Sequence, residues 1–458
     1  MRRWILVLLP LALALAGCSQ NDPDFVVTSV APGRPSVVFE PFHDPYSQAQ
    51  AQAQAVRSQG TGYLSLLRST DRLPVPNALL TDPSTGQNLL PTPPSSAPKY
   101  LRHAVEAMNT LSGFSTAGRL VIPLQGSLDL TTVTPQTMLV LEQPGGTSAP
   151  VTPTFDGERL QLTPLVPLVP ETDYLVVLTS GVRDGSGQSF LSGPLLALTK
   201  LTESLLNSDG SSRVPGLTDA EAQAMEEIRL RMQPVWAAAE QVTGVGRAEI
   251  PLAFSFRTQK LFDTLTFIRE SVHASSVSPT ITESYTTPEE VDDYYTNTLN
   301  VFHDVVVTPD GLFSGKDGVV APHDQVGAIY IGTVPAPWYI SDDTEGPFEY
   351  NDQGEPVVAE VRELEFMAIL PPGDGPFPVT IFQHGLTRTK ADMAGLANDA
   401  CASGRAMIGV DLVLHGANAR RLAPNGFDFY NQDYLEMMRD NVRQSVANLF
   451  VLNRMVSS

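Results

Sequence analysis

Two imidazoles and a carboxylate, His384, Asp411 and His415, fall within the stretch Pro378 to Gly416. Val379 to Phe382 is a short β-branched and aromatic run closed by Gln383-His384-Gly385, and a periodic segment from Lys390 to Ser403 follows before Gly404 stops it. Ala406 to Val410 is a second, unbroken apolar run of the kind a strand buried on both faces shows, with Asp411 and His415-Gly416 at its carboxyl end. The spacing predicts a strand, helix, strand unit whose polar and glycine residues gather where open α/β sheets place their ligand sites. Three such side chains at adjacent strand ends could hold zinc, but the helical HExxH pair of zinc hydrolases is absent. Hydrogen bonding that shapes the two strand-end loops is the expectation for both histidines.

These two segments resemble strands three and four of the α/β-hydrolase fold. The chain as a whole, over roughly residues 36 to 458, resembles the bacterial virulence-factor lipase family, lipoproteins with a β-rich N-terminal domain ahead of a serine-hydrolase domain. LSGFSTAG (Leu111 to Gly118), LTPLVPLVPETDYLVVLTSGVRDGSGQ (Leu162 to Gln188) and IPLAFSFRTQ (Ile250 to Gln259) carry the N-terminal part of that likeness. The resemblance implies a serine esterase or lipase acting on a lipid or other ester. It makes His384, Gly385 and Leu386 the oxyanion loop, with the backbone N–H of Leu386 as the donor, and Asp411, His415 and Gly416 the support at the neighbouring strand end. Such a donor is worth about 2.7–4 kcal/mol of transition-state stabilisation.

The same resemblance calls for a serine on a GxSxG elbow, then an acid and a histidine. No GxSxG occurs; the nearest approach, Gly113 to Ala117, lies far upstream and reads as a loop. Asp440 to Asn453 matches the helix before the nucleophile strand, and the sequence ends at Ser458. None of the triad is therefore present, and the expectation is no ester hydrolysis by this chain alone. In the fold it resembles, Val379–Phe382 lies between Ala406–Val410 and the nucleophile strand, so it is expected at a sheet edge, with residues 361 to 458 poorly ordered.

Composition bounds the partners. Met1 to Cys18 opens with Arg2 and Arg3, continues through an apolar run too short to span a bilayer, and ends on Leu-Ala-Gly-Cys. It reads as a signal peptide, and by resemblance to the bacterial lipobox Cys18 becomes a lipidated first residue. The expected location is thus the cell envelope, on the outer membrane, with membrane contact through the anchor at Cys18. The formal net charge of −21 argues against nucleic acid and against a basic membrane-binding surface. No cofactor and no metal site is expected. With Cys18 acylated, Cys401 is the one remaining thiol and reads as a buried packing residue.

The fold class expected is mixed: a β-sandwich-like, Ig-like N-terminal domain followed by a partial α/β-hydrolase domain with an incomplete parallel sheet. Residues 19–35 read as a tether, 36–272 as the β-rich domain, 273–360 as an irregular connecting region, and 361–458 as the N-terminal part of the hydrolase domain. Short β-prone runs from Leu120 to Leu198 alternate with Pro, Gly and Asp turns, and Thr218 with Glu221 has capping-box spacing. The acidic run Asp342, Asp343, Glu345, Glu349 reads as a solvated loop. Leu435, Met438, Val442, Val446, Leu449 and Leu452 predict one apolar helical stripe packed on a sheet. Against the esterase stands a non-catalytic surface lipoprotein that binds through its sandwich domain.

Overall fold

The computed structural model describes residues 34–39, 73–299, 320–342, 346–418, 429–430 and 434–457. The signal segment with Cys18, most of the tether, and Asp343 and Glu345 of the acidic run lie outside them. The chain divides into two compact units, one of Met1–Pro98 with Met108–Lys260, the other of Lys99–Ala107 with Leu261–Ser458. Helix α1 (Lys99–Asn109) contains the short first stretch of the second unit.

Among the described residues the first unit is built on eight strands: β1 (Ser36–Val37), β2 (Leu120–Gln125), β3 (Met138–Gln143), β4 (Val151–Phe155), β5 (Arg159–Pro164), β6 (Asp173–Leu178), β7 (Leu191–Ser192) and β8 (Leu252–Arg257). They form two sheets, ordered β4-β5-β2-β1-β7 and β3-β6-β8. Alternate residues Leu120, Ile122 and Leu124 of β2 and Leu160 and Leu162 of β5 share one core with Met138 and Val140 of β3. That is the period-two pattern of an Ig-like sandwich. β6 departs from it, because Tyr174 to Leu178 are all buried. The reason is a third layer. Helix α3 (Asp219–Thr243), following the short α2 (Pro194–Thr199), packs on β6 and β8 and adds Met232 and Trp236 to the core. Each such fully buried side chain contributes about 1.5–3 kcal/mol against leaving it in water. The predicted capping box closes α3, with Thr218 Oγ1 accepting the Glu221 N–H and Glu221 accepting that of Thr218; Gly244 ends it in the left-handed region.

The second unit centres on a five-stranded sheet ordered β14-β15-β13-β10-β9: Val379–Phe382, Ala406–Val410, Glu360–Leu370, Ala328–Trp338 and Thr280–Tyr285. A two-stranded hairpin, β11 (Ile340–Asp342) with β12 (Gly346–Phe348), sits apart from it. Among the described residues four helices flank the sheet. Ile268 and Val272 of α4 (Asp263–Ala274) and Met437, Ala447, Val451 and Leu452 of α7 (Leu435–Ser457) share a core with Leu364, Phe366, Ile408 and Val410. On the opposite face α5 (Pro288–Asp293) and α6 (Ala394–Ala402) pack Val291, Ala394, Ala397 and Cys401 against Ile329, Ile331, Met367, Ile369 and Met407.

Three expectations are corrected here. The sheet is not a parallel one: only β14 and β15 run parallel, while β15-β13, β13-β10 and β10-β9 are antiparallel. β14 and β15 are joined through α6, the kind of crossover a parallel pair needs, whereas antiparallel neighbours need none. Residues 273–360 are not irregular but carry α5 and β9 to β12. Pro335 and Pro337 argue against a strand there, yet they lie beyond Thr333, where β9 has ended and β10 has β13 alone beside it, so no ladder bond to β9 is lost.

The third concerns α7. Val442 is 47% exposed, and the buried face instead carries Asp440, Asn441, Gln444, Ser445 and Asn448. These polar groups serve backbone atoms of other elements. Gln444 accepts the Tyr339 N–H at 2.7 Å and donates to Pro337 O at 3.0 Å, Asp440 accepts the Phe348 N–H at 3.0 Å, and Asn441 donates to Phe429 O at 3.1 Å. Strand-end backbone that must be buried needs such partners, so polar residues take the inward face. β14 does occupy a sheet edge, with β15 on its one paired side among the described residues.

Candidate functional site

The loops after β14 and β15 meet at the carboxyl end of the parallel strand pair in the second unit's five-stranded sheet, and His384, Asp411 and His415 are brought together there. All three are buried, with 3%, 2% and 0% of their surface exposed. The imidazole rings lie 5.1 Å apart, and His415 also meets the edge of Phe429. His384 Nε2 accepts the N–H of Leu412 at 2.9 Å, and His415 Nε2 accepts that of Thr387 at 3.1 Å. Burial pushes the His384 imidazole below its ordinary pKa, against the upward pull of Gly385 O and Asp411. The His384 Nε2 to Asp411 separation is 3.7 Å, and the lone pair of that nitrogen points instead at the Leu412 amide, so no ion pair forms.

Asp411 organises both loops. Its Oδ1 accepts the Lys390 N–H at 2.7 Å, and its Oδ2 accepts from Lys390 Nζ at 2.7 Å and from the Ala417 N–H at 2.9 Å. Burial favours the neutral acid, but the Lys390 ammonium and these donors outweigh it and hold the carboxyl below its usual range. Lys390, itself buried, also reaches Glu365 at 2.7 Å, and the two carboxylates keep its amine above the ordinary lysine value against the cost of burial. Gly416 sits at φ +45°, and a Cβ there would stand 2.5 Å from Asp411 Cγ, so the close approach of loop to carboxylate requires glycine.

Gly385 and Leu386 lie on the β14 side. Gly385 is exposed and Leu386 half-buried, and the N–H groups of both are hydrogen-bonded to no described residue. Two unengaged amides beside a buried, fully bonded network can receive a developing negative charge on a ligand oxygen. The two imidazoles have no spare acceptor: each ring has one lone pair and spends it on a backbone amide. In this arrangement neither His384 nor His415 offers a free lone pair to a metal ion or a proton.

Lys390, Glu365 and the Arg388–Asp392 pair, whose contacts are 2.6 and 3.0 Å, complete the cluster and were not singled out from sequence. A lone lysine opening a helix gives no signal of a carboxylate partner on the next strand. Cys401 lies on α6, where burial pushes its thiol up to about 11, an inert packing position. Ser115, in the nearest approach to a nucleophile motif, belongs to the first unit and accepts from the N–H groups of Ala117 and Gly118 at 3.2 and 3.0 Å, a local turn.

Residues 104–199 match the model of a bacterial Ig-like domain family, which covers β2 to β7 of the sandwich. No curated protein matches the chain. Among solved structures it is similar to the N-terminal part of the bacterial S-layer protein SbsC (13% identity, 32% of this chain and 35% of that one, TM-score 0.15). It is also similar to E. coli alpha-2-macroglobulin in its native conformation (11%, 58% and 18%, TM-score 0.19) and to SbsC domains 1-6 (10%, 71% and 40%, TM-score 0.15). The chain spans less than half the length of each, and at such TM-scores these likenesses carry no argument. What the comparisons establish is a bacterial Ig-like domain within a β-rich chain of mixed sheets, and none of them names a lipase.

Proposed function

We propose that this is an exported protein of the bacterial surface whose second unit supplies the oxyanion-loop half of a carboxyl-ester-hydrolase site. The observation that carries the reading is the placement of β14 at the sheet edge outside β15, with the unengaged N–H of Leu386 at its carboxyl end. A virulence-factor-lipase-type sheet would seat its nucleophile strand beside β14, and the serine is not among these 458 residues. The Ig-like match and the signal-like Met1 to Cys18 segment support export, with a lipid anchor at Cys18 as the finer expectation. The chain is co-expressed with the GxSxG-bearing half of a virulence-factor lipase and assayed on p-nitrophenyl butyrate. Turnover by the pair, absent from either half and abolished by Leu386→Pro, supports the reading; complementation indifferent to Leu386→Pro, or fluorophosphonate labelling of this chain alone, sinks it.

The family match speaks more directly for a second reading, a non-catalytic surface protein that binds a partner through its Ig-like domain, since that domain is the part the comparisons assign. The strap Leu165, Val166 and Val169, between 49% and 65% exposed, gives such a partner an apolar contact. Capture of an envelope component by the intact chain, lost when these three residues become serine while esterase complementation also fails, would favour it.

A further inference from the structure

The loops after β14 and β15 hold each other through a reciprocal pair of imidazoles. His384, on the β14 side, accepts the N–H of Leu412 on the β15 side; His415, on the β15 side, accepts the N–H of Thr387 on the β14 side. In each ring the second nitrogen, Nδ1, meets a carbonyl oxygen of its own loop at 2.8 Å, Gly385 O for His384 and Val413 O for His415. A carbonyl cannot donate and a backbone amide cannot accept. Both rings are therefore neutral, with the proton on Nδ1.

The clasps adjoin the two strained residues of these loops. Thr387 has φ +65° and Leu414 φ +60°, and a β-branched residue in the left-handed region costs roughly 1–3 kcal/mol. Thr387 is the residue whose own N–H His415 holds, and it directly follows Leu386. Such strain persists only where surrounding bonds over-determine the backbone.

We infer that His384 and His415 are positioning residues, a neutral-imidazole clasp that keeps Thr387 left-handed and thereby fixes the direction of the adjoining Leu386 N–H toward a ligand oxyanion. The role toward a ligand rests on the proposed function; the clasp does not. Protonating either ring would turn an Nε2–H against a backbone N–H and break it. The charged groups around the pair are Asp411, Lys390, Glu365, Arg388 and Asp392, and Asp411 is committed to Lys390 and Ala417. Among the described residues α7 gives the loop the uncharged Ser445, whose Oγ accepts the Val413 N–H at 3.4 Å, and Phe429 closes the far side of His415.

The test reads the clasp without any ester hydrolysis, so its failure is separable from failure of the esterase reading. In the full chain labelled with ¹⁵N-histidine at pH 7, the resonances that vanish in His384→Gln and in His415→Gln should each report a protonated Nδ1 and a bare Nε2. His415→Leu should speed amide exchange at Thr387 and Arg388 roughly tenfold, the scale of one lost hydrogen bond. Adding Thr387→Gly should return the Arg388 amide to the parent rate, because glycine takes the left-handed conformation at no steric cost, while the amide of residue 387, its acceptor gone, stays fast. A purely structural histidine would not be rescued there. Imidazolium or Nε2–H rings, unchanged exchange in His415→Leu, or a double variant no better than the single one each overturns the proposal. If His415→Leu does not fold, the tautomers of the unaltered chain and Thr387→Gly alone, expected to melt no lower than the parent, decide it.

Discussion

Lys200 ends α2 inside the first unit, 4% exposed, and no carboxylate joins it among its contacts. Its amine donates to Ile250 O at 2.6 Å and lies 5.0 Å from the Trp236 ring centre. Burial lowers its pKa from 10.5 to about 7. The unfolded chain binds the proton that the folded chain gives up, so stability is fully present above pH 10.5 and falls as pH drops to about 7. At 1.36 kcal/mol per unit the full penalty is at most about 5 kcal/mol, and about 4 of it is already in force at pH 7. Lys200→Met keeps the stem and removes the charge, but leaves Ile250 O without a donor, a loss of about 1–3 kcal/mol. Lys200→Met should therefore be more stable than the parent by about 1–3 kcal/mol at pH 7 and less stable by a similar amount at pH 11. The assay is urea unfolding followed by Trp236 fluorescence in a Trp4→Phe, Trp338→Phe background, at pH 6, 7, 9 and 11. A variant destabilised equally at pH 7 and pH 11 would show that the buried amine carries no protonation penalty.

Other outcomes follow from the strand-end network and the leader. Gly416→Ala should cost the second unit about 1–3 kcal/mol, since its Cβ meets the Asp411 carboxylate at a positive φ, and thermal unfolding with exchange at Ala417 would register it. Lys390→Met strands the Asp411 carboxylate and should destabilise by about 3–5 kcal/mol at pH 7. Because Asp411 is held below its usual pKa, its contribution is present above pH 3.8 and lost as pH falls through its lower folded value, so Asp411→Asn should flatten that part of the acid-denaturation curve. Cys18→Ser should leave the protein unprocessed or release it from the membrane fraction, and unchanged fractionation would refute the anchor.

Local pattern was enough for the parts whose partners are near in sequence. The alternation in β2, β5 and β3, the Thr218–Glu221 box that starts α3, and the β14-α6-β15 unit with Gln383-His384-Gly385 at its turn are all properties of a few consecutive residues. The pairing of distant segments was not legible. β8 joins a sheet whose other strands end at β6, and β13 inserts antiparallel between β15 and β10, because register is set by long-range burial. The inward face of α7 likewise depends on backbone atoms of Pro337, Tyr339, Phe348 and Phe429, which no periodicity within Leu435–Ser457 can report. The same holds at the site: His384 and His415 were visible as residue types at strand ends, but their acceptor roles, the Lys390–Asp411 pair and the strain at Thr387 exist only once two loops twenty-odd residues apart are folded into contact.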